Sequence, residues 1–172
     1  MSVPWERVER LTDDHVLEDF CCEDQDMDQW FTKSSRQQDR AGGCAVHVCV
    51  NAAERIVGFF TLTSIEIRGD SVSKGASSGM TTVPSTLLGR LALDGDLRGQ
   101  GIGALLMLEA LHATCLSTKY VASRLAVLDA KNEKLVERYG ELGFTPTKTD
   151  PLRMWMRIST ARKTLAEAGF TL

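Results

Sequence analysis

The sequence offers little for metal or disulfide chemistry. Its five cysteines, Cys21, Cys22, Cys44, Cys49 and Cys115, are odd in number, include an adjacent pair and form no Cys-x-x-Cys. The three histidines (His15, His47, His112) are scattered. This spacing excludes a disulfide framework and a zinc site, and no metal is expected. The cysteines read as small buried thiols in a reducing cytoplasm. No stretch approaches the roughly 20 apolar residues of a membrane span. The opening Met1-Ser-Val-Pro-Trp-Glu-Arg has no apolar leader core, so neither a membrane partner nor secretion is expected. Aromatic residues make up only 6% and are not interleaved with basic ones, which argues against a base-stacking platform. There are two tyrosines, Tyr120 and Tyr139, and no internal repeat.

What remains is an ordinary globular composition, 43% hydrophobic and 25% charged over 172 residues. That length fits a single domain spanning 1–172, and such a chain buries roughly 70% of its unfolded surface without a covalent staple. The formal net charge is −3, which excludes a uniformly basic nucleic-acid coat protein. The charge is uneven. Asp13 to Asp28 holds eight acids and no base, whereas Lys119 to Lys163 holds ten bases and five acids. An anionic ligand near the C-terminal half is compatible with this asymmetry, as is a solvated mixed surface.

Apolar residues at three- and four-residue steps (Leu17, Phe20, Cys21, Met27, Trp30, Phe31) predict helix over 11–40. Val-rich 44–50 and Ile56 to Ile67 flank a turn at 51–55 and predict a hairpin. Residues 69–82 read as a flexible polar loop, either a lid or a long connection. Leu87 to Leu93 predicts a strand. A continuously apolar helix follows Gly103, interrupted only by Glu109 and His112, and should lie on a sheet. Strand 122–128, helix 131–142, strand 152–158 and a helical tail 160–168 complete the chain. This order predicts an α/β three-layer sandwich with a mixed sheet. The strand 152–158 and the tail are candidates for a homodimer interface.

The informative segment is Leu93-Asp-Gly-Asp-Leu-Arg-Gly-Gln-Gly-Ile-Gly103. Three glycines between a strand and a long helix bring backbone close to a ligand. The unpaired first amides of the helix and its dipole suit a phosphate or pyrophosphate. A nucleoside triphosphate loop needs Lys-Ser/Thr after its last glycine, and here Ala104-Leu105 follows. The dinucleotide spacing Gly-x-Gly-x-x-Gly is absent too.

Arg98-Gly-Gln-Gly-Ile-Gly103 resembles the Arg/Gln-x-x-Gly-x-Gly/Ala loop of the GNAT superfamily of N-acetyltransferases. Asn132 then opens the next helix, and Tyr139-Gly-Glu-Leu-Gly-Phe144 resembles the family's Tyr-x-x-x-Gly-Phe. Phe20-Cys-Cys-Glu-Asp24 with Met27-Asp-Gln-Trp30, Leu88-Gly-Arg-Leu-Ala-Leu-Asp94 and Thr149-Asp-Pro-Leu152 are similar to segments of the family's toxin branch. The resemblance spans roughly 16–158. It implies a GNAT-like α/β/α sandwich with a mostly antiparallel sheet and acetyl-CoA as co-substrate. It also implies a ribbon–helix–helix antitoxin as partner, and transfer of acetyl to the α-amine of aminoacyl-tRNA, which blocks translation. Arg98, Gly99, Gln100, Gly101, Ile102 and Gly103 would hold the pyrophosphate. The main chain of Leu91, Ala92 and Leu93 would pair with the pantetheine amides.

Chemically, the attacking amine must be neutral, and the departing thiolate needs a proton. A phenol with pKa about 10 is protonated at pH 7, so Tyr139 is the candidate catalytic residue. Asn132 is a candidate cofactor contact or a helix cap. Glu66 and Asp94 are weak candidates for a base, and water can suffice for an α-amine of low basicity. Arg90, Arg124, Lys131, Arg138, Lys148 and Arg153 form a candidate basic track for RNA phosphates. Two other readings stay open: acetylation of a protein or small-molecule amine, drawn by the acidic block, and a non-catalytic coenzyme A-binding module.

Overall fold

The computed structural model describes residues 2–172. The strands are β1 (Arg7–Arg10), β2 (Ala45–Val50), β3 (Ile56–Arg68), β4 (Thr82–Leu93), β5 (Leu125–Asp129), β6 (Thr145–Pro146) and β7 (Arg153–Arg157). The helices are α1 (Gln25–Arg40), α2 (Lys74–Ser77), α3 (Ile102–Ser117), α4 (Glu133–Glu141) and α5 (Ile158–Glu167). The strands order as β1-β2-β3-β4-β5-β7-β6 in one mixed sheet. β4 and β5 run parallel, while β1/β2, β2/β3, β5/β7 and β6/β7 are antiparallel. This is a mixed, mostly antiparallel sheet, as the resemblance implies.

The chain packs as two compact units interleaved along the sequence. The first runs through Thr63 and resumes from Arg90 to Ala110. Its core gathers Phe20, Phe31, Val46, Val48, Phe59 and Ala92, with Trp30 and Met27 packed at the margin. Phe31 and Phe59 stack 4.2 Å apart, and Phe20 meets both edge-on. Such aromatic pairs add to the area each ring removes from water. The second unit comprises Ser64–Gly89 and Leu111–Leu172. There Ile67, Val72, Ala76, Val83, Leu125 and Val127 form the core.

Several expectations need correction. Helix does not begin near residue 11. Asp24 is the N-cap, accepting the Met27 amide, and α1 starts at Gln25 with Asp26 and Asp28 in its first turn. Residues 11–24 are turns instead. Asp28 takes the Cys22 amide, and Glu23 has φ +67°. Leu17 and Phe20 are buried from those turns, so their spacing mimics a helical face. The segment 69–82 is packed rather than loose. It holds a 3-10 turn at Gly69–Ser71 and α2, capped by the Ser73 hydroxyl, with Val72 and Ala76 buried in the core. β4 starts five residues earlier than expected, β5 three later, and the tail helix two earlier. β1 and β6 have no apolar signature.

The proposed dimer face is also consumed internally. Met154 and Met156 of β7, and Ile158, Ala161 and Leu165 of α5, are all buried within the chain, and β7 is flanked by β5 and β6. Of the cysteines, Cys22, Cys49 and Cys115 are buried, Cys44 is partly so, and Cys21 is exposed. Burial raises the Cys22 thiol to about 11 and that of Cys49 higher still. Among the described residues no group of His, Cys, Asp and Glu is placed to hold a metal, and no helix is long and apolar enough to cross a membrane.

Candidate active site

The glycine loop is assembled in the first unit, at the C-terminal end of β4. The Asp94 amide donates to the Val57 carbonyl at 2.9 Å, and the Asp94 carboxylate accepts the Asp96 amide at 3.1 Å. The turn Gly95–Leu97 follows, its first amide tied to Cys21 O. The Gln100 side chain donates to the Asp96 carbonyl at 2.9 Å and closes the loop upon itself. Gly99 and Gly101 have φ of +74° and +76°, the left-handed region that any side chain would strain. Gly103 differs: it is helical, exposed, and a Cβ there meets nothing within 4 Å. Ile102 is buried beneath the loop and anchors the start of α3. Ala110, Leu111 and Cys115 are buried further along that helix. Its first amides lack intrahelical acceptors, and its dipole adds partial positive charge.

Arg98 is about half exposed, with its guanidinium 3.9 Å from the Glu23 carboxylate. Such an exposed pair is weak, so a phosphate can displace it. Sequence reading missed Glu23; its signal is the left-handed backbone, which no residue pattern discloses. Leu91, Ala92 and Leu93 end β4, with Ala92 buried and its carbonyl beside Gly58 of β3. The register of β4 with β5 runs from Ser85↔Leu125 to Leu88↔Leu128, and β4 continues to Leu93 beyond that ladder.

The second unit carries Tyr139 on α4. The ring is half-buried and meets Phe144 edge-on at 6.4 Å. Among the described residues none hydrogen-bonds its hydroxyl. Burial raises the phenol pKa above its ordinary value, opposed by the charges of Arg138 and Lys131. The hydroxyl is therefore a protonated donor at neutral pH. Asn132 caps α4: its Oδ1 accepts the Leu135 amide at 3.0 Å, which leaves the Nδ2 end as a donor.

Other candidates are committed elsewhere. Asp94 caps a turn, and Glu66 lies exposed on β3. His112 bonds the Thr171 carbonyl at 2.8 Å. His47 stacks on Phe60 at 4.8 Å, and its Nδ1 is buried with no hydrogen-bond partner among the described residues. In the basic track, Arg90 lies 4.1 Å over the Trp30 ring, Arg124 donates to the Ala76 and Gly75 carbonyls, and Arg153 grips Asp129 through two nitrogens. In the acidic block, Asp24 caps α1, Asp28 accepts the Cys22 amide, and Asp13 pairs with Arg40.

A profile of the acetyltransferase (GNAT) family matches residues 5–144. The chain is 24% identical over 159 residues to a "tRNA-acetylating toxin" of Mycobacterium tuberculosis (strain ATCC 25618 / H37Rv), covering 92% of this chain and 95% of that protein. It is similar to the structure of AtaT complexed with acetyl-methionyl-tRNAfMet, with a TM-score of 0.82 and 25% identity, covering 91% of this chain and 97% of that one. It is also similar to AtaTR bound with AcCoA, with a TM-score of 0.74 and 26% identity, covering 91% and 96% of the two chains. The loop Arg98–Gly103, the parallel β4/β5 pair and a family match over most of the chain agree: this protein belongs to the acetyltransferase (GNAT) family.

Proposed function

We propose that this chain is an acetyl-CoA-dependent toxin that acetylates the α-amine of aminoacyl-tRNA and thereby blocks translation, held in check by a ribbon–helix–helix antitoxin. The observation that carries the reading is the closed, left-handed glycine loop at the mouth of α3. The tRNA-acetylating relative and the AtaT complex with acetyl-methionyl-tRNAfMet support the choice of acceptor.

In this reading Arg98 and the amides of Gly99, Gln100, Gly101, Ile102 and Gly103 hold the pyrophosphate. Those of Leu91, Ala92 and Leu93 align the pantetheine arm, and the Asn132 amide nitrogen adds a contact. The neutral α-amine attacks the thioester carbonyl, and water takes its proton. Tyr139 gives its phenolic proton to the thiolate as the carbon–sulfur bond breaks, and water restores it. No metal takes part. Residues 1–172 act as one domain, as a homodimer joined through a surface other than the buried faces of β7 and α5, in the cytoplasm where acetyl-CoA and charged tRNA are found.

Incubation with labelled acetyl-CoA, charged tRNA, polyamines and a lysine peptide tests the acceptor. Label on aminoacyl-tRNA that is lost when the ester is hydrolysed is the expected result. Label on polyamine or lysine alone would assign the chain to small-molecule or protein acetylation. No transfer to any amine, with coenzyme A still bound, would make it a binding module.

A further inference from the structure

The second unit contains a cavity of about 440 Å³ that none of this chemistry uses. It opens where β4 begins, between the loop after α3 and the start of α5. Its polar lining consists of Thr118, Ser123, Arg124, Arg157, Ser159 and Arg162, and among the described residues no acidic side chain lines it. All three arginines are half-buried, and none is paired with a carboxylate among the described residues. Elsewhere Arg7 pairs with Glu54, Arg68 with Asp70 and Arg153 with Asp129, although exposed Arg55 and Arg138 stand without an acid among the described residues.

These cations are also held in place. Arg124 is fixed by the Ala76 and Gly75 carbonyls, so the packed α2 segment braces it. Arg162 donates to the Thr118 hydroxyl, and Arg157 lies against Gly75. The N-terminus of α5 opens beside them without a side-chain cap, its first amide spent on the Arg124 carbonyl. Two hydrogen-bonded guanidinium groups and that of Arg157, packed against Gly75, repel each other around one cavity unless an anion joins them. Planar guanidinium forks match phosphate oxygens two at a time. The volume suits a small ligand rather than a single ion. Tyr120, 90% exposed, stands just before the lining residues Ala122 and Ser123.

We propose that the Arg124–Arg157–Arg162 cavity is a second anion site, distinct from the glycine loop, that binds the phosphate groups of a small phosphorylated molecule. Two sources share that chemistry, inorganic polyphosphate and a free nucleotide.

The test is calorimetric titration of the full chain with pyrophosphate and, separately, ADP. Saturating coenzyme A keeps the glycine loop occupied throughout. Binding is expected in the wild type, weakened at least about tenfold in Arg157→Ala and in Arg162→Ala, because each removes a charge-assisted contact. Coenzyme A affinity and the melting temperature of the unliganded Arg157→Ala variant should stay unchanged, since the Arg157 guanidinium makes no hydrogen bond among the described residues and its backbone pairing is kept. Equal affinity for pyrophosphate and ADP supports the polyphosphate source. Tighter ADP binding that falls in Tyr120→Ala supports a nucleotide. No heat with either probe in the wild type overturns the proposal. So does pyrophosphate binding that survives both arginine variants. A loss of tRNA affinity alone, with pyrophosphate binding intact, also overturns it and assigns the arginines to an RNA surface.

Discussion

Tyr139 is a phenol with no hydrogen-bond partner among the described residues and a pKa pushed upward by burial, so it stays protonated and available as a donor at neutral pH. Removing only its oxygen should therefore spare binding and damage turnover. Tyr139→Phe is expected to lower acetyl transfer by about 10²–10⁴-fold with coenzyme A affinity unchanged. A loss smaller than twofold would remove the catalytic role. Because the raised pKa keeps the phenol protonated, the alkaline fall in rate due to this group should lie above about pH 10. His47 gives a second residue-level expectation. Burial lowers its pKa to about 4 from an ordinary 6.5. Its neutral form thus contributes stability above pH 6.5 that is lost as pH falls toward 4, at most about 3 kcal/mol. The melting temperature should drop across that window, and more steeply than in His47→Gln. Parallel curves would refute the assignment.

Among the elements, the turn into α3 separates two uses of glycine. Gly99 and Gly101 occupy left-handed backbone, so Gly101→Ala should cost about 1–2 kcal/mol and weaken coenzyme A binding as the loop shifts. Gly103 sits in ordinary helix with open space around it, so Gly103→Ala should leave the melting temperature unchanged or raise it. If coenzyme A affinity nonetheless falls in Gly103→Ala, the bare backbone is there for the ligand. If both variants behave alike, the distinction fails. This loop was legible in the sequence because its conformation needs glycine at fixed places. The apolar α3 and the alternating β7 were legible because their burial writes a period into the chain. β1, Arg-Val-Glu-Arg, was not, because an edge strand held by backbone bonds to β2 needs no apolar face. The start of α1 was misplaced because turns burying Leu17 and Phe20 reproduce helical spacing, although Asp24 with Asp26 and Asp28 after it is a start signal in its own right. The braced arginines around the unused cavity were hidden altogether. Arg124 joins Arg157 and Arg162 only through the β5/β7 pairing and the helix that follows.

For the whole molecule, a net charge of −3 and the proposed RNA substrate are reconciled by where the charges are spent. Acids of the first unit cap α1, hold the turn before it and pair with arginines, while Arg138 and Lys148 of the second unit stand exposed. Acetylation of charged tRNA should therefore slow as salt rises. Neutralising Arg138 and Lys148 together should flatten the slope of log affinity against log salt by roughly two units. Arg153→Ala should instead lower the melting temperature, since it leaves Asp129 unpaired. An unchanged salt slope in the double variant would exclude these two side chains from the RNA contact. The borders of the sheet carry one more consequence. β6 is two residues long and ends in Pro146, and β1 is four residues, three of them charged. Both borders disfavour an added strand, so overproduced protein should resist fibril growth from them, and an oligomer that extends the sheet past β1 or β6 is not expected.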